Sequence, residues 1–586
     1  LVVMVVASVV ALTSMWGVVE GARVAPLVAL LVLLGGVAHL LTQIPRGHEA
    51  TEGSPRALYD SPVVHYGLLS VVLGLVLARG YLGPVRHDWP YARGVDIYEH
   101  TVMTDMMLSQ GTTESFMLYP PGLHLLMALL SRVSGLEPLE LFAVLAPLLL
   151  LLTSLACYTL ARRMWGWEAG VAAAFFSGVV LVGNFHHLSE ARFPNLIGGQ
   201  FLLIMAIAAL FAVYASPTIR PGLLLAILGS SVVLHHQVGS FTLAQVLFLV
   251  TVLLVPYLLV YERRKALALL ASFALLGVLA VVYAWDTYDL GSLVVGLLSG
   301  GDETGRGADA VGMALGTKLP YPFEHLLLTA TQPLLWLGLL GALLLLVDGR
   351  RSPDAVADVL ARSTLLFWGL LLFIGSRTNL SGFPDRFERD LGIPLALLAA
   401  LAFIAVVRSP QSLREPVTLA TTIVAAVAVT TLLGAQALQN FEAADGPAGR
   451  PKDRPPPPPV AAAGEWLREN NSGGNIVATP YLNYVPSRGM LAMGGYTGMQ
   501  SYDIPRIERA RDLPPFGAGP LMDAQWVLHN PDSDRTERII EENDLRYIVF
   551  HKRYPGMPWP DFKERNDLYR TAYENEGVII FSPRST

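Results

Sequence analysis

Two pairs of residues in this sequence have the types and the spacing of a reaction centre. Asp96 and His100 stand four residues apart, so in a helix that begins near Asp96 they share one face and could take up a proton together. Arg386 and Arg389 stand three apart, and in a helix both guanidinium groups could grip one phosphate group. A carboxylate base and a cationic phosphate clamp are what the displacement of a phosphate-bound sugar requires.

Further candidates lie where long apolar runs end. They are Arg192 as another phosphate ligand, and Tyr119, His186, Glu190, His235, His236 and Asp286 as substrate-binding residues. Paired imidazoles beside hydrocarbon are costly, so we expect His235 and His236 to have a task, such as orienting an acceptor. Imidazole and carboxylate groups also suit zinc or manganese, but their spacing here does not specify a site. A divalent metal is therefore an open option, and no cofactor is assigned.

Each of these residues also has a structural interpretation. Asp is a favoured N-cap residue, so Asp96 could simply cap the helix that begins there. Arg386 and Arg389 could pair with the nearby carboxylates Asp385, Glu388 and Asp390 at the entry of a membrane span. The sequence leaves both interpretations open.

The elements that must position these residues are apolar spans. Of the 586 residues, 53% are hydrophobic and only 15% are charged, which is typical of a polytopic α-helical membrane protein. About thirteen apolar runs have the length of a transmembrane helix. They lie near 1–19, 24–42, 62–82, 138–160, 168–183, 198–215, 221–236, 240–260, 266–285, 327–347, 364–377, 390–407 and 416–436. The first run lacks a basic segment before it, so we expect a membrane anchor and not a cleaved signal peptide.

The distribution of arginine predicts the orientation of these spans. Alternating them places the arginine-rich loops on one side, which the positive-inside rule assigns to the cytoplasm together with the N-terminus. The opposite, outer side then receives the long first loop 83–137 and every candidate residue named above. We therefore expect a multi-pass plasma-membrane protein whose chemistry takes place outside the cytoplasm.

A change of composition divides the chain into two domains. The predicted transmembrane domain covers 1–440, and a proline-rich linker covers 441–460. Residues 461–586 alternate helix-like segments at 461–470 and 535–543 with strand-like segments at 475–479, 547–550 and 578–581, which predicts an extracytoplasmic α/β domain. The net charge of −6 provides no basic surface for nucleic acid, so nucleic acid is not an expected partner. The apolar spans make membrane lipid an expected one.

Three segments together resemble the GT-C superfamily of membrane glycosyltransferases. They are Tyr119-Pro-Pro-Gly-Leu-His-Leu-Leu126, Leu160-Ala-Arg-Arg-Met-Trp-Gly166 and Glu465-Trp-Leu-Arg-Glu-Asn470. The resemblance implies transfer of a sugar from a polyprenyl-phosphate-linked donor to a glycan, lipid or protein acceptor on the outer face. It also implies a carboxylate in the first outer loop, and the matching residue is Asp96. Many members have an adjacent acidic pair, whereas Ile97 follows Asp96 here, so the sugar and the acceptor stay open.

Two other classes of protein fit the same pattern of spans. A transporter or flippase of lipid-linked substrates would carry ionisable residues deep within spans and polar groups on both faces. The predicted span centres are nearly free of charge, which favours the enzyme. A catalytically silent scaffold is the third class, and an Asp96→Asn variant that kept full function would support it.

Overall fold

The structure, a computed structural model, describes most of the chain after residue 61. The described residues are 62–86, 96–109, 111, 120–136, 138–287, 320–347, 355–378, 384–408, 416–445, 458–471, 475–481, 500–502, 526–552 and 558–584. The predicted spans 1–19 and 24–42 and the candidate residue Tyr119 lie outside them. So does most of the predicted proline-rich linker.

Helices dominate the described residues. In chain order they are α1 (Pro62–Arg86), α2 (Asp96–Ser109), α3 (Gly122–Ser134), α4 (Pro138–Trp165), α5 (Trp167–Phe175), α6 (Val182–Ser189), α7 (Leu203–Ala215), α8 (Ile219–His235), α9 (Gln237–Leu249), α10 (Val255–Tyr261), α11 (Arg263–Thr287), α12 (Phe323–Thr329), α13 (Gln332–Val347), α14 (Ala355–Arg377), α15 (Pro384–Arg408), α16 (Pro416–Asp445), α17 (Pro458–Asn470), α18 (Asp534–Glu542) and α19 (Trp559–Glu564). The π-helical segments Phe176–Val180, Asn195–Leu202 and Val250–Leu254 extend α5, precede α7 and follow α9. Several helices begin with proline, whose fixed φ and missing N–H suit the first helical position.

The chain forms two compact units. The first comprises Leu1–Asp88, Val144–Ala284 and Gly312–Pro447, and the second comprises Trp89–Ala143, Trp285–Val311 and Ala448–Thr586.

Apolar helices build the first unit. Among the described residues, six helices are long and apolar enough to cross a membrane, or eight if each of two bent helix pairs counts as one span. Every span predicted after residue 61 coincides with one of the observed helices or bent pairs. The predicted membrane-spanning architecture is therefore visible in the described residues, whereas the total of about thirteen includes segments outside them.

Two spans occupy the interior of this unit. The spans differ in how much of the most apolar 18-residue segment of each is buried. The buried share is 89% in Asn195–Ala215 and 72% in Pro384–Val407, but only 28% in Arg263–Tyr283. The peripheral spans expose leucine and valine side chains, as a lipid-facing surface requires. The two central spans carry some of the polar residues of the candidate site in their first turns.

Glycines let one of these central spans pack closely. On α13, a Cβ atom at Gly341 would overlap the backbone carbonyl group of Leu398 on α15. Any larger residue at Gly341 would therefore push the two helices apart. Small residues at such crossings are the usual means by which membrane helices approach each other.

The span that begins at Trp167 is bent by 50° between Val180 and Val182. Leu181 is extended there, so the carbonyl groups of the preceding turn lose their helical donors. Arg79 Nη1 donates to the carbonyl oxygens of Gly178 and Leu181, both at 3.0 Å. These contacts replace the missing backbone donors at the bend.

Two asparagine side chains complete this replacement. Asn440 Nδ2 on α16 donates to the carbonyl oxygens of Val179, at 3.0 Å, and Val180, at 2.6 Å. Asn184 Nδ2 donates to the Ser177 carbonyl oxygen at 2.9 Å. The bend is thus held by side chains from α1, α6 and α16, and it directs α6 toward the candidate site.

The described residues of the second unit include a five-stranded sheet. Its strands are β1 (Asn475–Tyr481), β2 (Gln500–Tyr502), β3 (Leu545–His551), β4 (Tyr569–Glu574) and β5 (Val578–Pro583), in the order β2-β1-β3-β5-β4. β1 pairs in parallel with β2 and β3, whereas β3–β5 and β5–β4 are antiparallel. Buried Ile548, Phe550 and Phe581 join side chains of the flanking helices in one core.

Sequence periodicity predicts most elements of this region. The segments expected to be helical, 461–470 and 535–543, fall on α17 and α18, and the three expected strands fall on β1, β3 and β5. The short strand β2, together with α19 and β4, was not anticipated. Helix α17 begins at Pro458, inside the predicted linker 441–460, because a proline at the first turn does not interrupt a helix.

We expect the Asn440→Leu substitution to destabilise the first unit. It leaves two buried carbonyl groups without a donor, which costs about 2–4 kcal/mol in free energy of unfolding. Thermal unfolding of the purified protein in detergent measures this loss. Thr430→Val on the same helix, at an exposed position, is the matched control. Equal stability of the two variants would contradict the role given to Asn440.

Candidate functional site

A cluster of charged and imidazole side chains gathers inside the first unit. Its members come from the turn after α6, the π-helical segment before α7, α12, the end of α14 and the start of α15. These segments are far apart in sequence, and the fold brings their polar ends together.

A tight turn follows α6 and presents two of the predicted residues. The carbonyl oxygen of His187 accepts from the N–H of Arg192 at 2.8 Å, and Ala191 between Glu190 and Arg192 has a φ of 56°. The left-handed conformation at Ala191 reverses the chain within three residues. As a result, the Glu190 and Arg192 side chains meet, with Arg192 Nε 2.9 Å from Glu190 Oε2.

Arg389, on α15, binds the same Glu190 carboxylate. Its Nη1 lies 2.6 Å from Glu190 Oε2 and its Nη2 lies 3.2 Å from Oε1, a two-pronged contact between a guanidinium and a carboxylate. Arg192 Nη1 also reaches Asp385 Oδ2 at 3.4 Å. Two of the three arginines predicted to clamp a phosphate therefore already hold an anion, which is the Glu190 carboxylate.

The arginines determine the charge of Glu190. Burial by itself would raise the pKa of this carboxyl group, but Arg192 and Arg389 outweigh that effect and lower the pKa to about 2. Glu190 is therefore ionised at neutral pH.

A second part of the cluster is fully enclosed. His187 is buried, and its Nε2 lies 3.2 Å from Asp390 Oδ1, which also accepts from Gln200 Nε2 at 3.1 Å. The Nδ2 atom of Asn195 lies 3.4 Å from His187 Nδ1. Asp390 thus fixes the orientation of the ring, as carboxylates commonly do for functional histidines. Arg386, the third predicted phosphate ligand, is near enough to Asp390 and His187 to act on both electrostatically.

Glu388 anchors a third part of the cluster. Its side chain has no solvent exposure, forms an ion pair with Arg377 and is hydrogen-bonded to Nδ1 of His325. Thr329 Oγ1 donates to Glu388 Oε1 at 3.1 Å. Breaking one partner of such a buried pair is strongly destabilising, because an uncompensated charge is left behind.

The predicted pair His235 and His236 lies beside the π-helical segment. Cβ atoms added at Gly198 and Gly199 would lie 2.9 Å from His235 Cβ and 3.0 Å from His236 Nδ1, respectively. His235 Nδ1 is 2.8 Å from the Ser231 carbonyl oxygen, and His236 Nδ1 accepts from the Gly239 N–H at 3.1 Å, which caps α9. One ring nitrogen of each histidine is therefore committed to the backbone.

The first-loop candidates belong to the second unit. Helix α2 begins at Asp96, as predicted, although the described contacts do not include the Asp96 side chain. His100 is buried, and its Nδ1 lies 3.0 Å from Nε2 of His124 on α3, so one of these nitrogens donates and the other accepts. Helix α3 begins at Gly122, directly after Pro121. Asp286 lies near the end of α11, with its side chain outside the description.

Sequence reasoning did not single out Arg79, His325 or Gln200. Arg79 and His325 are ionisable residues within or beside apolar runs, a signal that could have identified them. Gln200 is a neutral amide in an apolar run, and only its contact with Asp390 reveals a role. Among the described residues, no three histidine, cysteine or acidic side chains are grouped so that they could hold a metal ion.

The sequence matches no protein-family model and no curated protein. It does match solved structures. ArnT from Cupriavidus metallidurans bound to undecaprenyl phosphate is 12% identical, with a TM-score of 0.55 over 89% of this chain and 98% of that chain. The archaeal oligosaccharyltransferase AglB from Archaeoglobus fulgidus, in complex with an inhibitory peptide and a dolichol-phosphate, is 16% identical, with a TM-score of 0.53 over 84% and 70%.

The Archaeoglobus fulgidus oligosaccharyltransferase tethered to an acceptor peptide is also 16% identical, with a TM-score of 0.54 over 84% of this chain and 70% of that chain. AglB and ArnT are both GT-C glycosyltransferases. At these identities the comparison shows a shared fold, so this chain has the fold of these solved structures. The resemblance drawn from the three sequence segments is confirmed at that level.

The lowered pKa of Glu190 predicts a pH dependence of stability. Because the pKa in the folded state is depressed, the stabilisation by Arg192 and Arg389 is complete above about pH 4.5 and is lost as the pH falls toward 2. The loss amounts to about 3 kcal/mol. Unfolding measured between pH 5 and 2 should therefore show a steeper decline for the native chain than for Glu190→Gln. Glu541→Gln, on the exposed face of α18, should retain the native slope; coincident slopes for the native chain and Glu190→Gln would overturn the assignment.

Proposed function

We propose that this chain is a glycosyltransferase that moves a sugar from a polyprenyl-phosphate-linked donor to a glycan, lipid or protein acceptor on the outer face of the membrane. The observation that carries the proposal is the pair Arg192 and Arg389, converging on one anion inside a GT-C fold. The solved ArnT and AglB structures contain undecaprenyl phosphate and a dolichol-phosphate, which supports the same class of donor here.

The proposed reaction is a displacement at the anomeric carbon. The acceptor oxygen or nitrogen forms a bond to that carbon while the bond from carbon to the phosphate oxygen breaks. The phosphate of the carrier lipid leaves with the bonding electrons, and the proton of the acceptor passes to a base. We assign the base to Asp96, on the strength of its match to the first-loop carboxylate of the superfamily.

The arginines have the complementary task of stabilising the leaving phosphate. Guanidinium groups present parallel N–H donors whose geometry matches phosphate oxygens, and a buried site strengthens their effect on developing charge. We assign this role to Arg389, Arg192 and Arg386. His100 is proposed to assist proton transfer, and Tyr119, His186, Glu190, His235, His236 and Asp286 are proposed to contact substrate. A divalent metal stays a prediction.

Asp96→Asn is expected to abolish proton removal and to lower kcat by about 10²–10⁴-fold. A transfer assay with purified protein in detergent, a panel of short-chain polyprenyl-phosphate sugars, and added Mg²⁺ or EDTA measures the loss. Asp105→Asn on the same helix α2 is the control, because it removes a carboxylate of equal size. Full activity of Asp96→Asn would show that Asp96 is not the base and would favour the scaffold interpretation.

Arg389→Lys is expected to lower kcat/KM by about 10²-fold, because an ammonium group retains the charge but loses the two-pronged contact. Arg362→Lys on α14 is the matched control, since Arg362 also forms an ion pair, at 2.7 Å from Asp358.

If no donor is consumed and labelled lipid instead crosses proteoliposome membranes, the chain is a transporter of lipid-linked substrates.

A further inference from the structure

The anion between Arg192 and Arg389 belongs to the protein itself. Three N–H groups from these two arginines converge on the two oxygens of Glu190, at 2.6–3.2 Å. A phosphate group presents oxygens of the same charge and similar spacing, so it would compete for the same donors. Both anions cannot use these N–H groups at once.

The balance of charge around this contact also indicates that a phosphate would have to replace Glu190. Arg192, Arg377 and Arg389 form ion pairs with the carboxylates of Asp385, Glu388 and Glu190. The formal charges of these six side chains cancel when all are ionised. A phosphate that entered without any other change would leave excess negative charge in a buried site, which is costly.

Glu190 is the carboxylate that can most easily move away from the arginines. Side-chain exposure is 24% for Glu190, 8% for Asp385, 6% for Asp390 and 0% for Glu388. Glu190 also lies on the turn after α6, so its three side-chain torsions could carry the carboxylate into water without moving a helix. The other three carboxylates belong to α15 and are enclosed.

We propose that Glu190 is an internal substitute for phosphate, which occupies the Arg192–Arg389 donors in the resting protein and is displaced when the phosphate group of a carrier lipid binds. This inference rests on the proposed function and adds a regulatory step to its phosphate site. In the absence of a carrier lipid, Glu190 neutralises the charge of the two arginines and holds them in place. The affinity for the carrier lipid is then set by how much more strongly the arginines bind its phosphate than they bind the Glu190 carboxylate. Moderate affinity would let the spent carrier leave after transfer.

Equilibrium binding to the full-length protein in detergent tests the proposal, with farnesyl phosphate, inorganic phosphate and farnesoic acid as probes. Glu190→Gln should bind farnesyl phosphate about tenfold more tightly than the native chain, because the competing charge is gone while the size is kept. Glu190→Asp, whose shorter side chain retains the charge, should show a smaller gain. This second variant also guards against instability from an unpaired Arg389.

Asp385→Asn separates displacement from a long-range effect of charge. Asp385 also contacts Arg192 but is enclosed, so its substitution should change the affinity by less than the Glu190 substitutions do. Equal gains for Asp385→Asn and Glu190→Gln, with none for Glu190→Asp, would overturn the proposal in favour of simple electrostatics.

The probes distinguish the remaining outcomes. A gain for farnesyl phosphate and inorganic phosphate supports displacement by the phosphate group alone, and a gain for farnesyl phosphate only supports displacement by a lipid-borne phosphate. A gain confined to farnesoic acid overturns the proposal. Native binding of farnesyl phosphate that Glu190→Gln leaves unchanged or weakens overturns the displacement but leaves the proposed function intact. No binding of farnesyl phosphate by any variant overturns both.

Discussion

The first unit depends on how backbone carbonyl groups are satisfied where the span bends at Leu181. An interrupted helix in hydrocarbon has no water to replace its lost hydrogen bonds, at a cost of several kcal/mol for each unsatisfied group. Arg79 and Asn440 supply the donors from two other helices, and both side chains are almost completely buried. The cationic guanidinium of Arg79 is compensated in turn by the two carbonyl dipoles and by the face of the Phe185 ring, 4.6 Å away.

The bend has a direct consequence for the site. It turns α6 by 50° from the axis of the preceding helix, and α6 ends in the turn that holds Glu190 and Arg192. A straight helix would carry these residues past the start of α15, where Arg389 and Asp385 lie. The geometry of the charge cluster therefore follows from a backbone feature stabilised some distance away.

Pairing is the condition under which so many charges can lie inside an apolar unit. Glu190 has Arg389, Glu388 has Arg377 and Asp385 has Arg192, whereas Asp390 accepts a hydrogen bond from the neutral amide of Gln200. Each of the three ion-paired carboxylates is thus offset by a specific arginine, which makes the cluster rigid but also self-neutralised. A site of this kind can accept a further anion only by releasing one of its own, and the most exposed carboxylate is the one that costs least to release.

The sequence alone determined the features that depend on local composition. Apolar runs of sufficient length predict membrane spans, and those after residue 61 coincide with helices; the start of α2 at Asp96 and of α3 after Tyr119-Pro-Pro is likewise a local property. Tertiary structure alone decided the bend at Leu181, because the run 168–183 has the same composition whether it is straight or bent. It also decided the partners, since Glu190 and Arg389 are separated by 199 residues. The spacing of residues within each motif does not show whether an arginine is available to bind phosphate or is already paired with a carboxylate.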